Sequence, residues 1–280
     1  MTGARLELRD VRGPSALGGG WRRAVDLLYL IAITDFRRSY LGTALGVLWS
    51  LVRPLMLFAV LLVVFTEAFD LGERVRHYPV LLLLNIVLFG FFQEATMQAV
   101  GSIVAQESVV RKTQFPRLVI PLAVVLTCLL HFSVNITVVF GFVLLAGIEP
   151  AWTWLLFPFA VALLVVFTTA VSMLVAALHP RFRDTGIIWS VAVTALFYAT
   201  PVLYPLEFIT GTLGRILALN PIAPIFELAR CWVIDPQAPG PAEAAGGAAW
   251  LLVPAAAYML VCLIAVRVFN REAPRIAEEL

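Results

Sequence analysis

Charged residues are scarce in this chain of 280 amino acids, where Asp, Glu, Lys and Arg together make up only 14%. An ordinary soluble domain contains about 25%. Hydrophobic residues make up 61% of the chain, and the mean hydropathy is +0.93. Because so little polar surface cannot cover a water-facing globule, the composition excludes a soluble enzyme and predicts a polytopic membrane protein.

Cysteine and lysine are also rare. The three cysteines, Cys128, Cys231 and Cys262, are odd in number and lie in distant segments, so no disulfide framework can be inferred. Lys112 is the single lysine, and the net charge is only +2. Since the basic residues are spread over several loops, the sequence gives no indication of nucleic-acid binding.

Motifs for catalysis and metal binding are absent as well. The only Lys-Thr pair, Lys112-Thr113, follows Arg111, where a phosphate-binding loop requires glycine. The three histidines lie in three different regions without the spacing of metal ligands, and no G-x-S-x-G motif occurs. We therefore expect no ATP hydrolysis, metal or cofactor in this chain itself.

Long apolar runs dominate what is present. Six of them are near or above the roughly 20 residues that cross a bilayer: Leu41 to Phe65, Pro79 to Val104, Leu118 to Ala146, Trp152 to Leu178, Gly186 to Leu203 and Ala244 to Val266. Six crossings put both termini on one side. Of the 20 Lys and Arg residues, 15 then lie on that side, four lie on the other and Arg53 lies inside the first span, which predicts cytoplasmic termini.

Two segments of mixed character are not expected to span. Trp21 to Arg38 combines apolar and charged residues in the pattern of a helix lying in the cytoplasmic interface, the alternative being a solvated N-terminal helix. Tyr204 to Asp235 is apolar but is interrupted by proline and glycine. We interpret it as a re-entrant helical hairpin on the outer side, the alternative being a surface loop.

Ionisable residues inside the spans are the first candidates for function. Placing a charged side chain such as Arg53 or Glu94 in hydrocarbon is unfavourable in free energy, so each is expected to face a partner chain, a cavity or the interface. The alternatives are that the Arg53 side chain extends to the lipid headgroups, and that Glu94 makes a purely structural contact between helices. His131 and Asn135 share a helix face, which indicates an interhelical hydrogen-bonding contact.

Aromatic side chains recur at helical spacing on three spans. Such stripes usually pack in cores, but they can also line a pore in which flat rings let sugars slide. The candidates for channel lining are Phe58, Phe65, Phe69, Phe89, Phe92, Glu94, Phe197, Tyr198 and Tyr204.

Several motifs then occur in a fixed order. They are Asp35-Phe36-Arg37-Arg38-Ser39-Tyr40-Leu41-Gly42, Leu45-Gly46-Val47-Leu48-Trp49 with Arg53-Pro54-Leu55, Phe91-Phe92-Gln93-Glu94, Arg111-Lys112-Thr113-Gln114-Phe115-Pro116-Arg117, and Leu219-Asn220-Pro221 with Glu227 and Arg230. Together they resemble the membrane subunit of ABC-2 type exporters, and within that family the exporters of O-antigen, capsular, teichoic-acid or galactan polymers on a lipid carrier.

The resemblance implies a homodimer that pairs with two separate ATPase subunits, which bind ATP and Mg, while the polymer passes between the two copies. It divides the chain into a cytoplasmic N-terminus (1–40), a transmembrane domain (41–268) and a cytoplasmic tail (269–280). The transmembrane domain contains a coupling loop (105–117) and an outer re-entrant gate (204–235). The residues expected to contact the ATPase are Asp35, Glu107, Ser108, Arg111 and Lys112.

The polyprenyl-linked substrate would present a pyrophosphate near the inner membrane surface. Arg37, Arg38 and Arg53 are the candidates to bind it, because arginine pairs bidentately with phosphate oxygens, and anchoring to membrane lipids is the alternative for Arg37 and Arg38. The rival functions are an ABC-2 exporter of drugs or small lipids, a membrane-embedded glycan-processing enzyme and a non-catalytic scaffold.

Overall fold

A computed structural model describes residues 20–40, 48–106, 117–209, 211–244 and 246–272 of the chain. These ranges are helical and contain no β-strand, which confirms the predicted all-α class. In chain order the helices are α1 (Gly20–Tyr40), α2 (Leu48–Glu67), α3 (Leu71–Arg74), α4 (Tyr78–Val100), α5 (Ser102–Ala105), α6 (Val119–Leu145), α7 (Phe157–Leu178), α8 (Thr185–Ala199), α9 (Gly211–Ala218), α10 (Ala223–Val233), α11 (Pro241–Ala244) and α12 (Leu252–Glu272), with short 3₁₀ turns at Trp152–Leu156, Leu206–Phe208 and Ala248–Leu251.

Five helical stretches of the described chain are long and apolar enough to cross a membrane. They are Trp49–Glu67, Tyr78–Val100, Val119–Leu145, Trp152–Leu178 and Ala248–Glu272. Each coincides with one of the six expected spans, so the protein is a multi-pass membrane protein.

The expected fifth span is shorter than the sequence suggested. Helix α8 has 15 residues and ends at Ala199, whereas the apolar run extends to Leu203. Pro201 explains the early end, because a proline disfavours helical backbone at the residue before it and lacks an N–H group. At 1.5 Å per residue α8 is about 22 Å long, less than the roughly 30 Å hydrocarbon core.

The segment after α8 is broken, as its prolines and glycines predict. Helices α9 and α10 are bent by 91° relative to each other, with Pro221 between them. Together they are apolar enough to count as one interrupted span or as a re-entrant loop. Gly214 allows α9 to pack closely, because a Cβ atom there would collide with the backbone oxygen of Ile209.

Helix α4 lies at the centre of the described fold. Its residues are buried on nearly every side, among them Tyr78, Leu84 and Phe92, and it packs against α2, α6, α7 and α8. An all-round apolar helix is expected at such a position. Helices α2 and α12 are largely exposed, so their apolar surfaces are available to lipid or to another chain.

Helix α1 packs along the first half of α6. Ala32 is fully buried there, and its backbone oxygen lies 3.3 Å from the hydroxyl oxygen of Thr127, which also contacts the Ala123 backbone oxygen at 2.9 Å. The apolar residues Val25, Tyr29 and Leu30 are exposed on another side of α1. The helix is therefore attached to the transmembrane bundle and presents a second apolar face outward, which is compatible with its expected interfacial position.

Candidate functional site

A cavity of about 590 Å³ lies over α4 and is bordered by α2, α6, α8 and the end of α1. Besides aliphatic residues such as Leu57 and Ile86, its lining contains polar and aromatic side chains. The polar members are Ser39, Ser50, Arg53, Gln93, Glu94, His131 and Asn135. The aromatic members are Trp49, Phe89, Phe91, Phe132 and Phe197.

The polar side of the cavity is organised around Glu94. Its Oε1 atom lies 3.0 Å from Nδ1 of His131 and accepts a hydrogen bond of 3.1 Å from the amide of Gln98. The His131 ring also contacts the Phe36 ring of α1, with centroids 5.4 Å apart. This contact chain joins α1, α6 and α4 at the wall of the cavity.

The aromatic side of the cavity is formed by rings that support one another. Phe89 and Phe197 meet edge to face with centroids 5.2 Å apart, which links α4 to α8. Edge-to-face pairs are a favourable arrangement because the positive edge of one ring meets the negative face of the other. These rings are thereby fixed in position, although α8 is otherwise exposed over much of its surface.

The broken end of α8 is held by side chains from α4 and from the turn between α9 and α10. Tyr78 donates its hydroxyl to the Leu203 oxygen at 2.9 Å, and Asn85 donates to the Pro201 oxygen at 3.0 Å. Asn220 donates to the Ala199 oxygen at 3.2 Å. A helix end leaves carbonyl groups without backbone donors. Here the side chains supply those donors, so the helix can end inside the fold.

A buried ion cluster fixes the hairpin itself. Arg230 of α10 lies 2.9 Å from Glu207 and 3.6 Å from Glu227, and Glu227 accepts a hydrogen bond from the Leu206 backbone at 3.3 Å. Only 8% of the Arg230 side chain and 4% of the Glu227 side chain are exposed. The cluster therefore ties the 3₁₀ turn at Leu206–Phe208 to α10.

Comparison with known proteins decides the family. Residues 27–231, well over half of the chain, match the family of ABC-2 type transporters.

The chain belongs to the ABC-2 type transporter family. Two proteins of Klebsiella pneumoniae named "O-antigen export system permease protein RfbA" are 32% and 33% identical to it over 201 residues, which covers 71% of this chain and 76% of each relative. A protein of the same name from Myxococcus xanthus is 30% identical over 198 residues, covering 70% of this chain and 75% of the relative. As a member of this family the chain is a transport subunit and not an enzyme.

The cavity of this ABC-2 chain brings together part of the predicted site. Arg53, Glu94, Phe89 and Phe197 come from three different helices, and all four line it. Phe92 lies beneath the cavity instead, fully buried between Phe89 and other rings of the core.

The other predicted channel residues are distributed over the fold. Phe58 is buried against Phe142, while Phe65 and Phe69 stack on each other at the far end of α2. Tyr198 is exposed, and Tyr204 donates its hydroxyl to the Tyr198 oxygen at 2.6 Å. Burial raises the pKa of Tyr204, so this donor stays protonated. None of these five residues lines the described cavity, and their role in a channel stays a prediction.

The predicted inner-surface residues fall into two groups. Asp35 and Arg38 line a smaller cavity of about 250 Å³ between α1, α4 and α6, and Arg37 is exposed nearby on α1. Ser39 lines both cavities, so they are adjacent. Glu107, Ser108, Arg111 and Lys112 lie outside the residues that the structure describes.

Two polar contributors were missed by the sequence reasoning. Gln98 follows Glu94 by four residues, and this spacing places both on one helix face. No local sequence pattern indicates that Tyr78 holds the Leu203 oxygen, because that acceptor lies 125 positions later in the chain. His131 was predicted to make an interhelical contact, but its partner Glu94 was not predicted.

Proposed function

We propose that this ABC-2 chain is the membrane subunit of an ATP-driven exporter that moves a lipid-linked polysaccharide across the bacterial cytoplasmic membrane. The observation that carries the proposal is the composition of the cavity, in which Arg53 lies near fixed aromatic rings. A guanidinium suits the phosphate of a lipid carrier, and apolar ring faces suit the CH faces of sugars. The three relatives named as O-antigen export permeases support the same substrate class.

The energy for transport comes from two separate ATPase subunits in this proposal. ATP and Mg bind there, and this chain contributes no cofactor. Helix α1 and the loop 105–117 provide the docking surface, and the attachment of α1 to α6 supports this assignment because movement of α1 is then passed into the bundle. A rigid-body shift of these parts would open the path along α2 and α8.

A second copy of the chain completes the transport path. The cavity is bordered by α2 and α8, and both helices expose apolar side chains, including Met56 and Val60 on α2 and Ile188 and Val191 on α8. Exposed apolar surface beside a partly polar cavity supports closure by another protein surface. The polymer would pass between the two copies, and the hairpin α9–α10 would be the outer gate.

The orientation follows from the arginines. With both termini in the cytoplasm, the basic residues concentrate on the inner side, as the positive-inside rule requires. In that orientation Arg38 and Arg53 lie toward the inner leaflet, where a lipid carrier presents its phosphate after synthesis. Membrane lipids contact the exposed faces of α12 and α1.

Depletion of the protein in its host tests the proposal. Membrane-impermeant labelling of glycans on intact cells and on lysates should show that full-length lipid-linked polymer accumulates on the cytoplasmic side only. A shortened or missing polymer would favour a glycan-processing enzyme. An unchanged polymer would contradict polysaccharide export and favour a drug or small-lipid cargo.

A charge-reversal variant tests the coupling loop. Arg111→Glu combined with Lys112→Glu should abolish export while the protein remains inserted, because it reverses the charge of the residues assigned to the contact with the ATPase. Arg74→Glu is the control, since Arg74 is exposed and is predicted to lie on the opposite membrane face, outside the hairpin. Full export by the Arg111/Lys112 variant would contradict the docking assignment.

A further inference from the structure

Glu94 is held through one of its two carboxylate oxygens. Both of its described hydrogen-bond partners, His131 and Gln98, contact Oε1. Among the residues that the structure describes, Oε2 has no hydrogen-bond partner, and 37% of the side chain is exposed in the cavity. The carboxylate is therefore fixed in orientation and presents an acceptor to whatever occupies the cavity.

The charge of Glu94 is not neutralised by the arginine that shares its cavity. Arg53 lies on α2 and lines the same space, but no ion pair with an N···O distance of 4.0 Å or less joins it to Glu94 in the described part of the chain. Charged groups inside a membrane protein are expensive unless they meet a partner or water. Since these two opposite charges do not pair with each other, each of them can bind a different group of one ligand in the cavity.

The surroundings of Glu94 specify what such a ligand would be. Phe197, which Phe89 holds in place, provides aromatic surface, and Glu94 provides a charged acceptor in the same cavity. A polyhydroxylated ring has both features that this pair can bind, namely apolar CH groups and hydroxyl donors. Hydrogen bonds to a charged acceptor are the stronger kind, so they can orient a ring that the aromatic surface alone would let slide.

From these contacts we infer that Glu94 binds the hydroxyl groups of a sugar unit in this cavity and that His131 is the residue that positions its carboxylate. The inference rests on the proposed function and deepens it, because it assigns the polar recognition of the saccharide to one residue. Arg53 keeps its separate assignment to the phosphate of the carrier.

His131 positions the carboxylate from α6. With the proton on Nδ1 the imidazole donates to Oε1 of Glu94, and the Phe36 ring packs against the imidazole from α1. The histidine side chain is only 10% exposed, so it acts through Glu94. A residue that orients a binding group in this way controls the strength of binding without making the contact itself.

The test uses the full-length chain with its ATPase partner in proteoliposomes, and the probe is lipid-linked glycan extracted from cells depleted of this chain. ATP hydrolysis is measured as a function of glycan concentration. Glu94→Gln should raise the half-saturating glycan concentration about tenfold, because a neutral amide is a weaker acceptor than a carboxylate. Glu149→Gln is the matched control and should keep the wild-type value, since Glu149 is exposed in a loop outside the cavity.

Two substitutions of His131 separate positioning from packing. His131→Ala removes the donor and should raise the half-saturating concentration about as much as Glu94→Gln. His131→Asn places an amide nitrogen near the position of Nδ1 and should restore most of the wild-type value. A thermal unfolding curve of each variant shows whether the protein remains folded.

The outcomes distinguish the inference from the function on which it rests. If wild-type protein is not stimulated by the extracted glycan at any concentration, polysaccharide export is wrong and the inference falls with it. If the wild type is stimulated and both Glu94→Gln and His131→Ala keep the half-saturating concentration of the wild type, only the inference is overturned. A lower unfolding temperature with unchanged half-saturation would make the pair a structural contact, which also overturns it.

Discussion

Arg230→Met should strongly destabilise the outer hairpin. Arg230 is the only cation within 4.0 Å of Glu207 and Glu227 in the described part of the chain, at 2.9 Å and 3.6 Å. Methionine has a similar length and no charge, so the substitution removes the cation while largely preserving the packing of α10. Glu227 is then left with the Leu206 backbone N–H as its hydrogen-bond donor.

The expected loss follows from the burial of this cluster. Removing one partner of a buried ion pair leaves an uncompensated charge and costs about 3–5 kcal/mol. Only 4% of the Glu227 side chain is exposed, so water cannot replace the lost cation. Glu207 is 30% exposed and can be hydrated in part, which places the expected loss toward the lower end of that range.

A double-substitution cycle isolates the electrostatic part of this loss. Glu227→Gln alone should change the free energy of unfolding by less than about 1 kcal/mol, because Arg230 keeps Glu207 and the amide oxygen still accepts from Leu206. Adding Glu227→Gln to Arg230→Met should recover about 2 kcal/mol, because the buried charge that lost its partner is removed as well.

The assay is reversible unfolding of the purified protein in mixed micelles of dodecyl maltoside and dodecyl sulfate, followed by tryptophan fluorescence. Arg215→Met is the control on the same hairpin, because Arg215 is exposed, and it should stay within about 0.5 kcal/mol of the wild type. If Arg230→Met is as stable as that control, or if Glu227→Gln recovers none of the loss, the ion cluster does not hold the hairpin and the reasoning is refuted.

Three further predictions concern helix contacts, and unfolding in the same micelles measures each. Tyr78→Phe should cost about 1–3 kcal/mol because it leaves the buried Leu203 oxygen without its donor, and an unchanged stability would show that this oxygen finds another partner. Gly214→Ala should cost more than about 1 kcal/mol, since the added Cβ meets the Ile209 backbone oxygen, and a neutral result would mean that α9 can shift freely. Tyr258→Phe removes a 2.8 Å bond from α12 to α7 and should cost about 0.5–1.5 kcal/mol, whereas a much larger loss would contradict a single hydrogen bond.

The order of motifs along the chain was informative about the site, but it did not show which residues meet. Arg53 and Glu94 were identified as candidates because charge inside an apolar run is visible in one dimension. Their shared cavity, and the contact of Glu94 with His131 at 37 positions' separation, depend on the packing of α4 against α6. Aromatic stripes were less reliable guides, since Phe89 and Phe92 are both fully buried in the core, and only Phe89 borders the cavity.

The sequence by itself determined the membrane class, the positions of five long spans and the break near Pro221, because the length of an apolar run and the position of a proline are local properties. Only the tertiary structure decided that the carbonyl groups at and beyond the end of α8 are held by distant side chains. It also decided that one oxygen of Glu94 is anchored while the other faces the cavity. These features arise from contacts between helices, and no periodicity within one helix encodes which partner it will meet.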